Sequence, residues 1–170
     1  MIDLAYVQRM ARYNRWQNES LYGAADTLDD DARRRERGAF FGSIHKTLSH
    51  LLWADRIWLS RFADMPAPAG GIPGSVSLYP EWEGLKRERA NFDRTILAWT
   101  AKLDPAWLGG DLTWFSGALQ REVTHPKWQL VMHFFNHQTH HRGQVHGMLT
   151  QAGAKPGDTD LFLLPELNDG

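Results

Sequence analysis

Cysteine is absent from the 170 residues of this chain. Its absence excludes disulfide bonds, thiolate ligands for a metal ion and a cysteine nucleophile. A transition-metal site here would have to use imidazole and carboxylate groups, and imidazole suits zinc, nickel, copper and iron. Chemistry that needs a thiol would have to take that thiol from a bound small molecule.

An excess of charge of either sign is also missing. The chain has 19 basic and 20 acidic residues, a formal net charge of −1, and the basic residues are scattered. A nucleic-acid-binding protein would concentrate basic charge on one face, so we expect no nucleic-acid partner. No apolar run approaches the ~20 residues of a membrane span, and residues 1–6 lack a signal-peptide layout. We therefore expect no membrane association and a cytoplasmic location.

The length and the apolar pattern predict one domain, residues 1–170, built mainly from helices. The first helix is predicted at residues 3–28, and a charged connection with room for one helical turn follows at residues 29–38. Ser43 is a good N-cap for a second helix that ends near Arg61. Its apolar surface is wider than one stripe, which indicates packing on more than one side.

Proline and glycine mark residues 63–78 as a long surface loop. A third helix is predicted from Tyr79 or Pro80, because proline suits the first turn of a helix, to about Leu103. Two short segments, 111–115 and 118–124, flank a Ser-Gly turn and predict a β-hairpin.

The fourth helix is predicted to start at Pro126 and to end between Gln151 and Gly153. The apolar tail segment 161–164 should pack on the other helices or on a second subunit. Together these elements predict an all-α fold: a four-helix bundle with one long crossover loop and a short hairpin before the last helix.

Five of the eight histidines lie within residues 133–146 of the fourth helix. At ~100° per residue, with His137 at 0°, His141 falls at about +40° and His133 at about −40°. His137 and His141 therefore lie on the core-facing stripe. His140 and His146 are predicted to be surface residues, and His125 a loop residue. His133, at the edge of the stripe, is an alternative ligand or a hydrogen-bonding neighbour of the ligands.

Two imidazoles leave a divalent ion under-coordinated, so a third ligand must come from another helix. On the second helix we prefer His50, which shares a face with Trp53, Ala54 and Ile57; His45, near the helix start, is expected to be solvated. Three histidines and a water molecule are typical of a catalytic zinc site rather than a closed structural one. The alternative is that these are ordinary hydrogen-bonded core histidines.

The fourth-helix segment Asn-His-Gln-Thr-His-His-Arg-Gly-Gln-Val, residues 136–145, resembles the signature of DinB/YfiT-like proteins, the damage-inducible four-helix-bundle family. Residues 13–18, residues 47–51 with 54–56 and Trp58, and the closing segment 157–160 are similar as well. The likeness covers nearly the whole chain in order.

That resemblance implies a metal triad at His50, His137 and His141, the set that helical geometry also selects. Members of the wider superfamily bind zinc, nickel or another divalent ion. Some transfer a small thiol to an electrophile or isomerise a substrate with the help of a thiol, and homodimers are common. The resemblance therefore implies a divalent metal ion as cofactor, zinc or nickel first, and a homodimer.

Three residues of the motif have physical interpretations of their own. Gly143 is expected to let another helix approach closely, at a cost of ~1 kcal/mol in helix stability relative to Ala. Gln144 lies on the metal side and is expected to hydrogen-bond a ligand histidine or a bound water. Arg142 points away and is expected to form a structural ion pair.

Three functions follow as hypotheses. The first is a metal-dependent thiol transferase, which would bind a small thiol at an open coordination position and favour the reactive thiolate. A metal-dependent hydrolase ranks lower, because no carboxylate in the histidine cluster offers a positioned base. The third is a stress-related bundle without catalysis that binds a metal or a small ligand.

Overall fold

The structure is a computed structural model and describes residues 2–117 and 119–165. It is mostly helical, with one small sheet. Its elements in chain order are α1 (Leu4–Asp26), α2 (Asp30–Arg34), α3 (Ile44–Phe62), α4 (Ile72–Ser75), α5 (Trp82–Ala101), α6 (Pro105–Leu108), β1 (Asp111–Ser116), β2 (Arg121–Pro126) and α7 (Lys127–Gln151), followed by a 3₁₀ turn at Leu161–Leu163.

Two of the long helices, α1 and α3, begin where a side chain satisfies one of their first free backbone N–H groups. The Asp3 carboxylate accepts a hydrogen bond from the Tyr6 N–H at 2.8 Å, which starts α1. The Ser43 hydroxyl accepts from the Lys46 N–H at 3.3 Å, which confirms the predicted cap of α3.

The four long helices form a closed cycle of contacts: α1 packs against α5 and α7, and α3 packs against α5 and α7. Each therefore buries residues toward two neighbours. The centre contains Phe134 and Phe135 of α7, Leu48 and Leu52 of α3, and Ile96 of α5, all at most 1% exposed.

The two strands form the predicted antiparallel hairpin, in which Trp114 is opposite Val123. Val123 is buried and Trp114 is half-buried, whereas the Thr113 and Thr124 side chains are exposed and hydrogen-bond each other at 2.8 Å. One face of the hairpin thus covers the helices. Ala118, predicted as the start of the second strand, lies outside the described residues.

Some predicted boundaries were wrong. Helix α5 begins at Trp82 with Glu81 as its N-cap, so Pro80 lies before the helix rather than in its first turn. The predicted loop at 63–78 includes the short helix α4, and the predicted helical turn after α1 is α2.

The apolar tail packs on the helices only in part, and its predicted packing on a second subunit stays a prediction. Leu164 is 9% exposed, but Phe162 is 82% exposed, and Leu161 and Leu163 are also exposed. None of the described helices combines the length and the apolar composition that crossing a membrane requires.

Candidate metal centre

Three predicted histidines meet between α3 and α7. One side-chain nitrogen each of His50, His137 and His141 lies within 4.8 Å of the other two. The helices run antiparallel, because Trp58, further along α3, meets His133, earlier on α7. Four-residue spacing aligns His137 and His141 on one side of α7, and His50 faces both.

Hydrogen bonds around Ser75 determine which nitrogen of His50 faces this cluster. The Ser75 hydroxyl donates its one proton to the Ile72 carbonyl at 2.6 Å. Its oxygen must then accept from Nδ1–H of His50, 2.8 Å away. The unprotonated Nε2 of His50 therefore faces the cluster, 3.4 Å from Nε2 of His137.

Gln144 orients the ring of His141 in the same way. Its Oε1 lies 2.9 Å from Nδ1 of His141 and accepts that N–H, which leaves the Nε2 lone pair of His141 free. The amide nitrogen of Gln144 in turn reaches Nε2 of His140 at 3.2 Å. This confirms the predicted contact between Gln144 and a candidate ligand, an arrangement typical of histidines that bind metals.

The three imidazoles are held in their neutral forms. Burial and the neighbouring His141 lower the pKa of His50 to about 4. Burial, with His141 and His50 beside it, lowers the pKa of His137 to about 3. Burial also lowers the pKa of His141. Neutral imidazole is the form that binds a metal ion, so lone pairs are available at neutral pH.

Aromatic rings enclose the cluster. The Phe41 ring lies 3.9 Å from the His50 ring and 5.4 Å from the His141 ring, measured between centroids. A turn ending at Gly42 brings Phe41 there, and the positive φ of Gly42 (81°) favours glycine; a Cβ at this position would also require the Glu36 carboxylate to move.

The three histidine nitrogens suit a transition-metal ion of intermediate softness. Within residues 2–117 and 119–165, the group that could hold an ion consists of these three histidines, without a carboxylate. Three neutral nitrogen donors suit zinc or nickel. A tetrahedral ion with three protein ligands keeps one position for water or a substrate.

Comparison with known proteins agrees with this geometry. The model of the DinB family matches residues 1–169. The chain belongs to the DinB family. It is also 26% identical to the protein named Protein DinB of Bacillus subtilis (strain 168) over 171 residues, which covers 96% of this chain and 94% of that protein.

The other histidines of this DinB-family chain have separate environments. His45 is 2% exposed, and its Nε2 lies 2.8 Å from the Tyr79 carbonyl, so the expectation of a solvated His45 was wrong. His140 is exposed and His146 half-buried, and neither belongs to the cluster. His133, one turn before His137, packs edge-to-face against Trp58. His125 lies in β2 rather than in a loop.

A buried network of charged and amide groups lies beside the cluster. The Asp55 carboxylate of α3 accepts from Arg89 of α5 at 2.6 Å and from the Gln138 amide of α7 at 2.9 Å. Arg89 also pairs with Asp93 at 2.9 Å, and Asp93 accepts from Asn18 of α1 at 2.9 Å. The network joins all four long helices, while Arg89 Nε and Gln138 Oε1 are buried without a hydrogen-bond partner among the described residues.

Two motif residues differ from expectation. Arg142 is buried and donates to the Asn14 side chain of α1 and, at 3.3 Å, to the Thr139 hydroxyl, so it forms hydrogen bonds instead of the expected ion pair. Burial lowers the pKa of Arg142 to about 10, which still leaves it cationic at neutral pH. A Cβ at Gly143 would meet no described atom within 4 Å, so no helix approaches there.

Sequence reasoning missed Ser75 and Phe41. Ser75 lies in the Pro/Gly-rich segment 25 residues after His50, and no regular spacing links the two. Phe41 precedes the N-cap of α3, where periodicity carries no information. A glycine directly before that cap was the only local signal of a tight turn.

Proposed function

We propose that this DinB-family protein binds one divalent metal ion, zinc or nickel, through His50, His137 and His141. The main support for this proposal is that three neutral imidazoles converge. Hydrogen bonds from the ring nitrogens that face away from the cluster orient two of them. The cycle of contacts among α1, α3, α5 and α7 supports interpreting the surrounding architecture as a four-helix bundle.

We further propose a thiol-dependent transferase as the activity. The three histidines would hold the ion, which would supply an open position that favours the thiolate form of a small thiol. In the transfer, a carbon–sulfur bond forms between that thiol and an electrophilic carbon. The displaced group leaves with its electron pair, and the thiol proton passes to solvent. The sulfur must come from the ligand, because the chain contains no cysteine.

The residues around the site have supporting roles in this proposal. Ser75 and Gln144 hold two imidazoles in the tautomer that binds metal. Phe41 and Trp53 flank the His50 ring and limit the access of water. Limited water would disfavour hydrolysis as the competing reaction. A hydrolase is further disfavoured because the described cluster holds no carboxylate to act as a base.

Elemental analysis of protein purified without an affinity tag tests metal binding. We expect one zinc or nickel ion per chain in the wild type and in the His146→Ala control. We expect loss of stoichiometric binding in His137→Ala. Wild-type metal affinity in His137→Ala would refute the ligand assignment.

Catalysis is tested separately at metal saturation, with several small thiols and electrophilic acceptors. Turnover that depends on both the metal and the thiol is expected. No turnover with any pair would favour the second candidate, a bundle that binds a metal or a ligand without catalysis. The observation that favours that candidate is that Ser75 and Gln144 hold the His50 and His141 rings by hydrogen bonds, which would keep a binding site in place whether or not a reaction follows.

A further inference from the structure

A cation with aromatic neighbours lies at the end of α3, beyond the histidine cluster. The Arg61 guanidinium carbon is 4.7 Å from the centre of the Trp58 ring and 5.5 Å from that of the Trp114 ring. Trp58 precedes Arg61 by one turn of α3, and Trp114 comes from strand β1. The hairpin therefore supplies the second of the two half-buried indole rings that contact the guanidinium.

Arg61 lacks the acidic partner that some other arginines of this chain have. Arg89 pairs with Asp55, and Arg34 with Asp30. Among the residues that the structure describes, no ion pair within 4.0 Å involves Arg61. Burial lowers the pKa of Arg61, with no carboxylate opposing it. A half-buried guanidinium without a counter-ion has donors available for an anion.

A row of rings connects this cation to the proposed metal centre. The Trp58 ring lies 5.0 Å from the His133 ring, and His133 lies 5.9 Å from His137, between centroids. On α3, positions 50, 54, 58 and 61 share one face at helical spacing. A ligand lying along this row would reach both His137 and Arg61.

We infer that Arg61, with Trp58 and Trp114, forms a subsite for the carboxylate or phosphate end of an elongated small molecule whose other end lies at the three-histidine centre. The planar N–H donors of the guanidinium match a carboxylate or a phosphate in shape and charge. The indole faces and the His133 ring offer apolar surface to the intervening chain. The inference depends on the proposed function only where it places the other end of the ligand at the three-histidine centre.

Matched ligands and variants test the subsite in zinc-loaded protein. Titration with 6-mercaptohexanoate and with its neutral counterpart 6-mercapto-1-hexanol compares ligands that differ mainly in the terminal charge. Isothermal calorimetry gives the two dissociation constants, and the indole N–H signals of Trp58 and Trp114 report binding in NMR spectra. The variants are Arg61→Gln, Arg61→Lys and the control Arg87→Gln, which removes an exposed charge elsewhere.

We expect the acid to bind roughly fivefold more tightly than the alcohol, a modest preference because Arg61 is partly solvated. Arg61→Gln should abolish that preference without weakening the alcohol, and Arg61→Lys should retain part of it. Arg87→Gln should behave as wild type. Equal affinities for acid and alcohol in the wild type, or a preference that survives Arg61→Gln, would overturn the inference.

A second arm separates failure of the subsite from failure of the metal site. Metal-free protein is titrated with hexanoate and with inorganic phosphate. Shifts of the Trp58 and Trp114 indole signals that disappear in Arg61→Gln support the subsite, and the stronger of the two ligands identifies the preferred oxyanion. No Arg61-dependent shift with either anion contradicts it. Failure to bind either zinc or nickel would refute the proposed function alone, and this arm would still decide the inference.

Discussion

Replacing Ser75 by alanine should weaken metal binding without unfolding the protein. The Ser75 oxygen accepts the Nδ1–H of His50 at 2.8 Å, which keeps the Nε2 lone pair directed at the cluster. Alanine removes that acceptor from a ring that is only 4% exposed, so water cannot easily replace it. His50 can then adopt the other tautomer or rotate, and either change must be reversed before an ion binds.

The expected loss is ten- to a hundredfold in metal affinity, which is typical when a hydrogen-bond partner of a metal-bound histidine is removed. That corresponds to about 1.4–2.7 kcal/mol. The backbone around position 75 should remain in place, because the Ser49 hydroxyl donates to the Ser75 carbonyl at 2.8 Å and alanine keeps that carbonyl.

Competition with a chromophoric chelator at pH 7.5 measures zinc affinity, and circular dichroism checks that the fold is retained. Ser77→Ala is the matched control, since the exposed Ser77 hydroxyl bonds, among the described residues, only the nearby Gly74 carbonyl, at 3.2 Å. Its affinity should equal that of the wild type. A folded Ser75→Ala protein with wild-type zinc affinity would refute the argument that Ser75 fixes the His50 ring.

Further predictions concern stability, pH and assembly. Asp55→Ala should lower the free energy of unfolding by about 3 kcal/mol in urea titrations, because it removes one of the two buried carboxylates that pair with Arg89 and also the acceptor of the Gln138 amide. Since His50 and His137 have pKa values near 4 and 3 in the fold, against 6.5 in the unfolded chain, protons bind the unfolded chain first as the pH falls. The metal-free protein should keep its stability above pH 7 and lose up to about 1.4 kcal/mol per pH unit for each histidine below pH 6.5, measured by urea titration at several pH values. The homodimer expected from the sequence stays a prediction: light scattering should show a dimer, which Phe162→Ser should weaken if the exposed tail contributes to the interface.

Helical periodicity was sufficient to predict the histidine cluster, because both helices that carry it are long and regular. Ser43 caps α3 as predicted, and the spacing of His137 and His141 determined which face of α7 they share. The choice of His50 over His45 also followed from its helical face. The solvation of His45 was predicted wrongly, because the carbonyl that it bonds belongs to Tyr79, in a distant loop.

Contacts made through loops could not be predicted in this way. Ser75 meets His50 through the short helix α4, whose four residues include a proline and a glycine and give no periodic signal. Phe41 reaches the cluster through a tight turn. Pro80 suggested a helix start, but the backbone turned into a helix two residues later. Local patterns predicted the elements, whereas the partners of individual polar atoms depended on tertiary packing.

The buried network and the histidine cluster depend on the same alignment of α3 and α7. Asp55 follows His50 on α3 by little more than one turn. The Gln138 amide, which donates a hydrogen bond to Asp55, is next to His137 on α7. Sliding one helix past the other by one turn, about 5.4 Å, would break that hydrogen bond and leave a buried carboxylate short of a partner. The same slide would move His50 away from His137. The penalty for an unsatisfied Asp55 therefore favours the one alignment in which the three imidazoles meet, before any ion is bound.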